Sequence, residues 1–268
     1  MARPAAPARR PAATAAPVSP AYAGIAPDGG GLPLFRAVKR ALLQSIEAGV
    51  VAPGAALPSE IELAASFGVS IGTLRRAVDD LVAEHILLRR QGRGTFVATH
   101  TSDRFLFQFF HVERSDGLRE APEVELVSFE RVRLDEDAAA ALELKAGEPA
   151  LQVENRLKLQ GRPVVHDRLL LPLALFRGLT EKRWSERPST IYHLYQSEYG
   201  ITVVRALERL RAVGADRNTA RVLGVPVGAP MLQVRRVAIG LGGKPVEYRV
   251  STVATAQHEY VNMLTRPA

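Results

Sequence analysis

Arg75, Arg76, Arg89, Arg90 and Arg93 crowd into one short stretch of this chain, with the hydroxyls of Ser59, Ser70 and Thr73 ahead of them and that of Thr95 behind. Guanidinium groups carry rigid forks of N–H donors that match phosphate oxygens and the O6/N7 edge of guanine, and hydroxyls serve phosphates from the side. The chemistry open to such a set is the non-covalent grip of a polyanion. A solvated charged surface is the other use of a basic run, and one arginine alone does not choose between them. The choice rests on whether local elements hold these side chains on one surface.

The spacing supplies those elements. Ser59 with Glu62 after it has the spacing of a capping box, and Ile61, Leu63, Ala64 and Phe67 recur on one face before Gly68 closes the helix. Val69 and Ser70 make a tight turn. Ser70 then caps a second helix whose buried stripe is Leu74, Ala77, Val78 and Leu81, leaving Arg75 and Arg76 off it. Beyond Glu84 the period changes: residues 86–90 and 95–97 read as strands joined through Gly92, Arg93 and Gly94, a hairpin with a basic tip. Upstream, Phe35, Val38, Leu42, Leu43 and Ile46 predict an earlier helix ended by Gly49, and Pro53 and Gly54 constrain the loop that follows. A helix fits the DNA major groove, and a glycine-bearing basic tip can follow the backbone or enter the minor groove.

The segments LPSEIELA, VSIGTLRRAVDDL and RRQGRGTFV, in that order, resemble the winged helix-turn-helix of the GntR family of bacterial transcription regulators. The resemblance implies double-stranded DNA as the partner. At two places the chain departs from it: Ile61 stands where the family usually carries an arginine and Ile71 where it often carries another, both of which would touch DNA, so the family's usual operator is not carried over.

Composition narrows the remaining function classes. The chain has no cysteine, hence no disulfide, thiolate metal site or cysteine nucleophile, in keeping with a reducing cytoplasm. Apolar runs such as residues 169–176 are interrupted by Pro172 and fall short of the roughly 18 residues a bilayer span requires, so no membrane partner is expected. With 268 residues there is room for two domains, and a net charge of +7 favours an anionic partner. Residues 1–31, rich in Ala, Pro and Gly with Arg3, Arg9 and Arg10, predict a disordered tail. The winged domain is expected over 32–98. Residues 99–120 are expected to hold a linker and the first strand of a second domain, FLFQFFHV at 105–112, before a polar loop at 113–120.

Residues 121–268 contain an internal repeat. Residues 142–168 lie over residues 223–250 with one extra residue in the second copy, and Gly147, Pro149 and the run Leu151, Gln152, Val153 match Gly228, Pro230 and Leu232, Gln233, Val234. Each copy is preceded by a similar strand, FERVR or LERLR, and by a short helix that Asp135 or Asp216 could cap. Neither copy is long enough to bury a face alone. The two are therefore expected to share one antiparallel sheet with helices on one side, and a longer helix around 190–199 connects them, ended by Gly200.

This pattern resembles the UTRA effector-binding domain of the HutC branch of the GntR family, a fold similar to chorismate lyase. The fold class expected is thus α+β, a winged helix-turn-helix followed by an antiparallel-sheet effector domain. The resemblance implies an effector-responsive regulator, and because one winged domain reaches only a few base pairs, a homodimeric repressor on a palindromic operator is expected. It also places Arg156 and Lys158 where two basic residues hold the effector's anionic group, and Glu247 where a glutamate faces the pocket. His166, Asp167, Arg168, Tyr248 and Arg249 lie close by in the paired strands as further lining. An exposed charged sheet face is the alternative for each.

An enzyme or metabolite-binding protein with a vestigial winged domain is the second reading, because the fold resembles a lyase. Against it, no nucleophile elbow, HExxH, Walker loop or GxGxxG occurs, and the histidines are scattered singly. No catalytic residue, metal or cofactor is expected.

Overall fold

A computed structural model describes residues 33–100 and 109–262 of the chain. The tail expected at 1–31 and the first half of the strand expected at 105–112 lie outside the described residues. The chain divides after Val97 into two compact units.

The first unit contains α1 (Leu34–Glu47), α2 (Glu60–Phe67), α3 (Ile71–Ala83) and the hairpin β1 (Leu87–Arg90) and β2 (Gly94–Val97). Local chemistry starts and stops each helix. The Ser59 hydroxyl accepts the Glu62 N–H at 3.3 Å while the Glu62 carboxylate accepts the Ser59 N–H at 2.9 Å, a complete capping box. Gly68 ends α2 at φ +66°, a conformation that would crowd the Cβ of an L side chain against the backbone carbonyl. Ser70 caps α3. The core joins Val38 and Leu42 of α1 to Leu63 and Phe67 of α2 and to Leu74, Ala77 and Leu81 of α3, all buried. Leu57 N–H donates to the Thr95 carbonyl at 2.8 Å, and Ala56 bridges Phe96, so the loop before α2 lines the hairpin as a short third strand.

The second unit is built on a six-stranded antiparallel sheet in the order β4-β5-β6-β9-β8-β7. Its strands are β4 (Glu123–Arg133), β5 (Pro149–Leu159), β6 (Arg162–Pro172), β7 (Val203–Gly214), β8 (Pro230–Gly240) and β9 (Pro245–Ala254). The repeat is plain in that order: β4-β5-β6 and β7-β8-β9 are equivalent halves that meet at the β6·β9 pair. Short helices α4 (Glu136–Ala141) and α7 (Arg217–Leu223) follow the first strand of each half, and Asp135 and Asp216 cap them as the sequence indicates. Between the halves stand α5 (Glu181–Ser185) and α6 (Ile191–Tyr199), capped by Thr180 and Thr190.

Two features differ from the sequence reading. Helices cover both faces of the sheet, not one. Trp184, Tyr192 and Tyr195 of α5 and α6 pack on Leu151, Val153, Leu169 and Leu171, whereas Ala138 and Ala139 of α4 pack on Ala150, Leu170 and Tyr248 of the opposite face. Strands that bury both faces lose clean alternation, as VVHDRLLLP shows. Among the described residues, the first pairing of this unit joins β3 (Val112–Arg114) to β10 (His258–Tyr260), so a strand runs from Val112 into the segment read as a loop. Phe109 and Phe110 are buried but not in a strand, and their carbonyls are taken by the guanidinium groups of Arg236 and Arg119.

Candidate nucleic-acid interface and effector cavity

On α3, Ile71, Arg75 and Asp79 follow one another at single-turn intervals along an exposed face. Arg75 Nε lies 2.6 Å from Glu60 Oε2, and the other oxygen of Glu60 lies 3.3 Å from Arg89 Nη2. Arg89 also pairs with Asp79. Glu60 therefore ties the start of α2 to α3 and to the wing. Exposed pairs of this kind add little stability, so their effect is to orient two arginines. Arg76 stacks 4.2 Å from the Phe35 ring centroid and Arg90 4.9 Å from that of Phe96. Arg93 stands at the wing tip between Gly92 and Gly94, whose φ values of +69° and +105° require glycine. Among the described residues, Arg76, Arg90 and Arg93 have no carboxylate partner, and here the unit's positive charge is uncompensated. The hydroxyls of Ser59 and Ser70 are engaged in capping, Thr73 Oγ1 lies 2.9 Å from Ser70 Oγ, and Thr95 anchors Leu57 through its carbonyl. The Ser59 hydroxyl, then its N–H, hold Glu62 below its usual carboxylate range.

In the second unit a cavity of about 160 Å³ opens on the face covered by α5 and α6. Val124, Leu157, Pro122 and Ile191 give it apolar walls, and Asp167, Arg249, Arg187, Ser189 and Thr190 give it polar ones. Behind it sits a buried charge network. Arg249 donates to both oxygens of Glu247, at 2.9 and 3.0 Å, and its third nitrogen lies 3.3 Å from Asp167 Oδ2. Tyr195 and Tyr192 donate their hydroxyls to Glu247 at 2.6 and 3.3 Å. Burial pushes the Tyr192 hydroxyl up to about 12, with Glu247 adding to the effect, and the same two causes hold Tyr195 well above the ordinary tyrosine value, so both remain donors. Burial works against the charge of Arg249, but Glu247, then Tyr192 and Asp167, hold it well above the ordinary arginine value. Glu247 is thus saturated. By contrast, Asp167 Oδ1 and Arg187 Nε are buried without a hydrogen-bond partner. Arg187 donates to the Trp184 carbonyl and rests on the Trp184 ring, and burial holds it below the ordinary arginine value.

The strands divide the sequence-derived effector set between the two faces. Asp167, Glu247 and Arg249 lie on the cavity side, where Asp167 sits opposite Asn155 and Arg249 opposite Leu169. Arg156, Lys158, His166, Arg168 and Tyr248 occupy alternate positions and point to the other face. This corrects the expectation that all eight line one pocket. Arg156 and Lys158 both pair with Glu125 of β4, His166 lies 3.2 Å from both Glu154 and Thr219, Arg168 is exposed, and Tyr248 is buried under α4. A two-residue period puts odd and even positions of paired strands on opposite faces, and no pocket crosses a sheet. Sequence reasoning missed Arg187, Ser189, Thr190 and the two tyrosines. The only local signal for them was a helix start preceded by a lone arginine.

The family profile for bacterial regulatory proteins, gntR family, matches residues 34–97, and that for the UTRA domain matches residues 118–259. The chain belongs to the GntR family. This GntR regulator is 28% identical over 240 residues to the HTH-type transcriptional repressor NagR of Bacillus subtilis, covering 88% of this chain and 96% of that protein. It is 25% identical over 235 residues to the mannosyl-D-glycerate transport/metabolism system repressor MngR of Escherichia coli, covering 87% and 97%. The crystal structure of a ligand-binding domain from a GntR-family regulator of Bordetella bronchiseptica matches 59% of this chain and 99% of that chain, with TM-score 0.56 and 35% identity. YydK of Bacillus subtilis, 18% identical with TM-score 0.54 over 85% of this chain and 99% of that chain, shares the fold. No described helix of the GntR regulator is long and apolar enough to cross a membrane.

Proposed function

We propose that this GntR regulator represses transcription from the cytoplasm as a homodimer on a palindromic operator, and releases it when a small anion bearing a hydrogen-bond donor fills the Asp167–Arg187–Arg249 cavity. It acts by binding and does not turn its ligand over. The observation that carries the ligand assignment is the pair of unsatisfied buried atoms, Asp167 Oδ1 and Arg187 Nε, on residues that line this cavity. An unmet acceptor and an unmet donor each cost folding free energy unless a ligand completes them. The anionic group fits Arg187 and the N-terminus of α6, where Thr190 and Ile191 line the cavity and backbone N–H groups point outward. The donor fits Asp167.

The same helix offers the route out. Gln196 of α6 accepts the His100 N–H at 3.1 Å and donates to the Ala98 carbonyl at 3.2 Å, holding the residues that directly follow the wing strand β2. A ligand that favours one setting of α6 thereby biases where the chain leaves the wing, the differential interaction that linkage requires.

The test is a thermal-shift panel of small carboxylates and phosphates, with hits competed against a duplex selected by the protein from a random pool. Arg187→Met and Asp167→Asn should each abolish release while leaving duplex affinity unchanged. Gln196→Leu should keep ligand binding and lose release. Release that survives both cavity substitutions would refute the site.

A further inference from the structure

Two large apolar side chains stand in solvent at the start of the two DNA-facing helices: Ile61 is 70% exposed and Ile71 40% exposed. Neither contributes to the core of its own unit. Ile61 follows Glu60, whose carboxylate is bonded to Arg75, and Ile71 lies one turn before Arg75 on the same face of α3. The Glu60–Arg75 pair thus marks the ground between the two isoleucines. Next to Ile71 stands Gly72. Its φ is not positive, and a Cβ added there would meet only Ser70 Oγ at 3.9 Å, so neither backbone conformation nor internal packing requires glycine. A helical glycine costs about 1 kcal/mol relative to alanine. The gain that fits an exposed first turn is room for another molecule to approach its backbone.

Resting on the reading of α3 as the DNA-recognition helix, we propose that Ile61 and Ile71 read thymine, through its C5-methyl group in the major groove, and that this chain's operator carries thymines at the bases they cover. The partner is set by continuity. The isoleucines share their surface with Arg75, and Arg76 on the same helix supplies uncompensated positive charge. In the major groove the thymine methyl is the one apolar feature among the unmodified base pairs, and apolar side chains are its complement. Close approach at Gly72 brings Ile71 to the depth of the base edges.

The experiment selects duplexes from a random pool with the full-length chain, then replaces each thymine of the enriched site, one at a time, by deoxyuridine. That exchange deletes the methyl and leaves the pairing edge intact. Loss of one buried methyl contact, taken at about 0.8 kcal/mol per buried CH₂, is about fourfold in Kd. Wild-type protein should lose about fourfold at one or two thymines per half-site. Ile61→Ala and Ile71→Ala should each become indifferent to uracil at one of those positions, and Ile71→Arg should shift preference there toward guanine. Wild-type indifference to uracil at every position, or uracil sensitivity unchanged in both alanine variants, overturns the proposal. A pool that yields no enriched sequence overturns it too, and is distinguished by removing sequence-specific DNA binding altogether.

Discussion

Replacing Arg249 by Met tests the buried network directly. Glu247 is completely buried and accepts four hydrogen bonds, two of them from Arg249. The substitution keeps most of the side-chain volume but strands Glu247 with only two tyrosine donors and leaves Asp167 with no cation. Removing one partner of a buried pair costs about 3–5 kcal/mol, because the remaining charge keeps its desolvation penalty without its counterion. For a unit of this size about 1 kcal/mol shifts Tm by about 2–4 °C, so a fall of roughly 6–20 °C is expected. The protein has a single tryptophan, Trp184, fully buried in this unit's core, so its fluorescence follows the unfolding of this unit. Adding Glu247→Gln to the Met variant removes the stranded charge and should return a large part of the loss. An R249M variant within about 0.5 kcal/mol of wild type, or one that E247Q fails to rescue, refutes the view that Glu247 depends on Arg249 for its burial.

The other predictions concern the winged unit and pH. Arg93→Ala should weaken binding to a selected duplex and reduce the slope of log K against log salt by about 0.9, as expected for one lost phosphate contact; an unchanged slope by fluorescence anisotropy rejects that role. Arg75→Ala should cost more than Arg93→Ala in the same anisotropy assay, because it leaves one oxygen of Glu60 unpaired beside the DNA with only Arg89 as partner, and Glu60→Gln should recover part of the difference. His111 and His258 are held below the ordinary histidine value chiefly by burial, with Arg236 and Arg119 adding at His111 and Arg114 at His258. The unfolded chain therefore takes up protons first on acidification. Stability is full above about pH 6.5 and falls as pH drops through that value toward the folded-state values. Urea midpoints by Trp184 fluorescence between pH 7.5 and 5.5 should show this decline, and the His111→Gln, His258→Gln double variant should flatten it; a flat wild-type profile counts against the assignment.

Features fixed by neighbouring residues were legible in the chain. The Ser59–Glu62 box, the left-handed Gly68 and the Asp135 and Asp216 caps are local, and each stands where the sequence puts it. That the two copies share one antiparallel sheet followed from the repeat, but the order of the strands did not, because it depends on which edges of the two halves pair. What alternation cannot supply is the identity of the layer on each face. Arg156 and Lys158 are correctly grouped with each other, yet their partner is Glu125, on a strand whose register only tertiary pairing fixes. Arg187 lies between two helices in a segment with no period, and its place over Trp184 depends on packing distant in sequence. On the DNA side, the sequence grouped the arginines but could not show that Glu60 holds two of them while Arg76 and Arg90 rest on aromatic rings.

The repeat also explains why the cavity has unlike walls. In the overlay of the two copies Arg168 is equivalent to Val250, and these two residues face each other in the β6·β9 register, so the local twofold axis passes between them. Asp167 and Arg249 are equivalent positions one step from that axis, on the same face. Identical residues there would set two like charges against each other, at about 4 kcal/mol for a separation near 4 Å. Instead one copy supplies an acid and the other a base, and they pair at 3.3 Å. The divergence continues beside them. Glu247, which saturates Arg249, corresponds to Val165 in the first copy, so no second acid or base competes for Asp167 from that strand, and its Oδ1 stays open. A doubled fold with symmetric residues would offer two equal half-sites. Opposite charges across the axis, with only one of them fully satisfied, leave a single polar wall with a defined donor side and acceptor side, which is what recognition of one asymmetric small molecule requires.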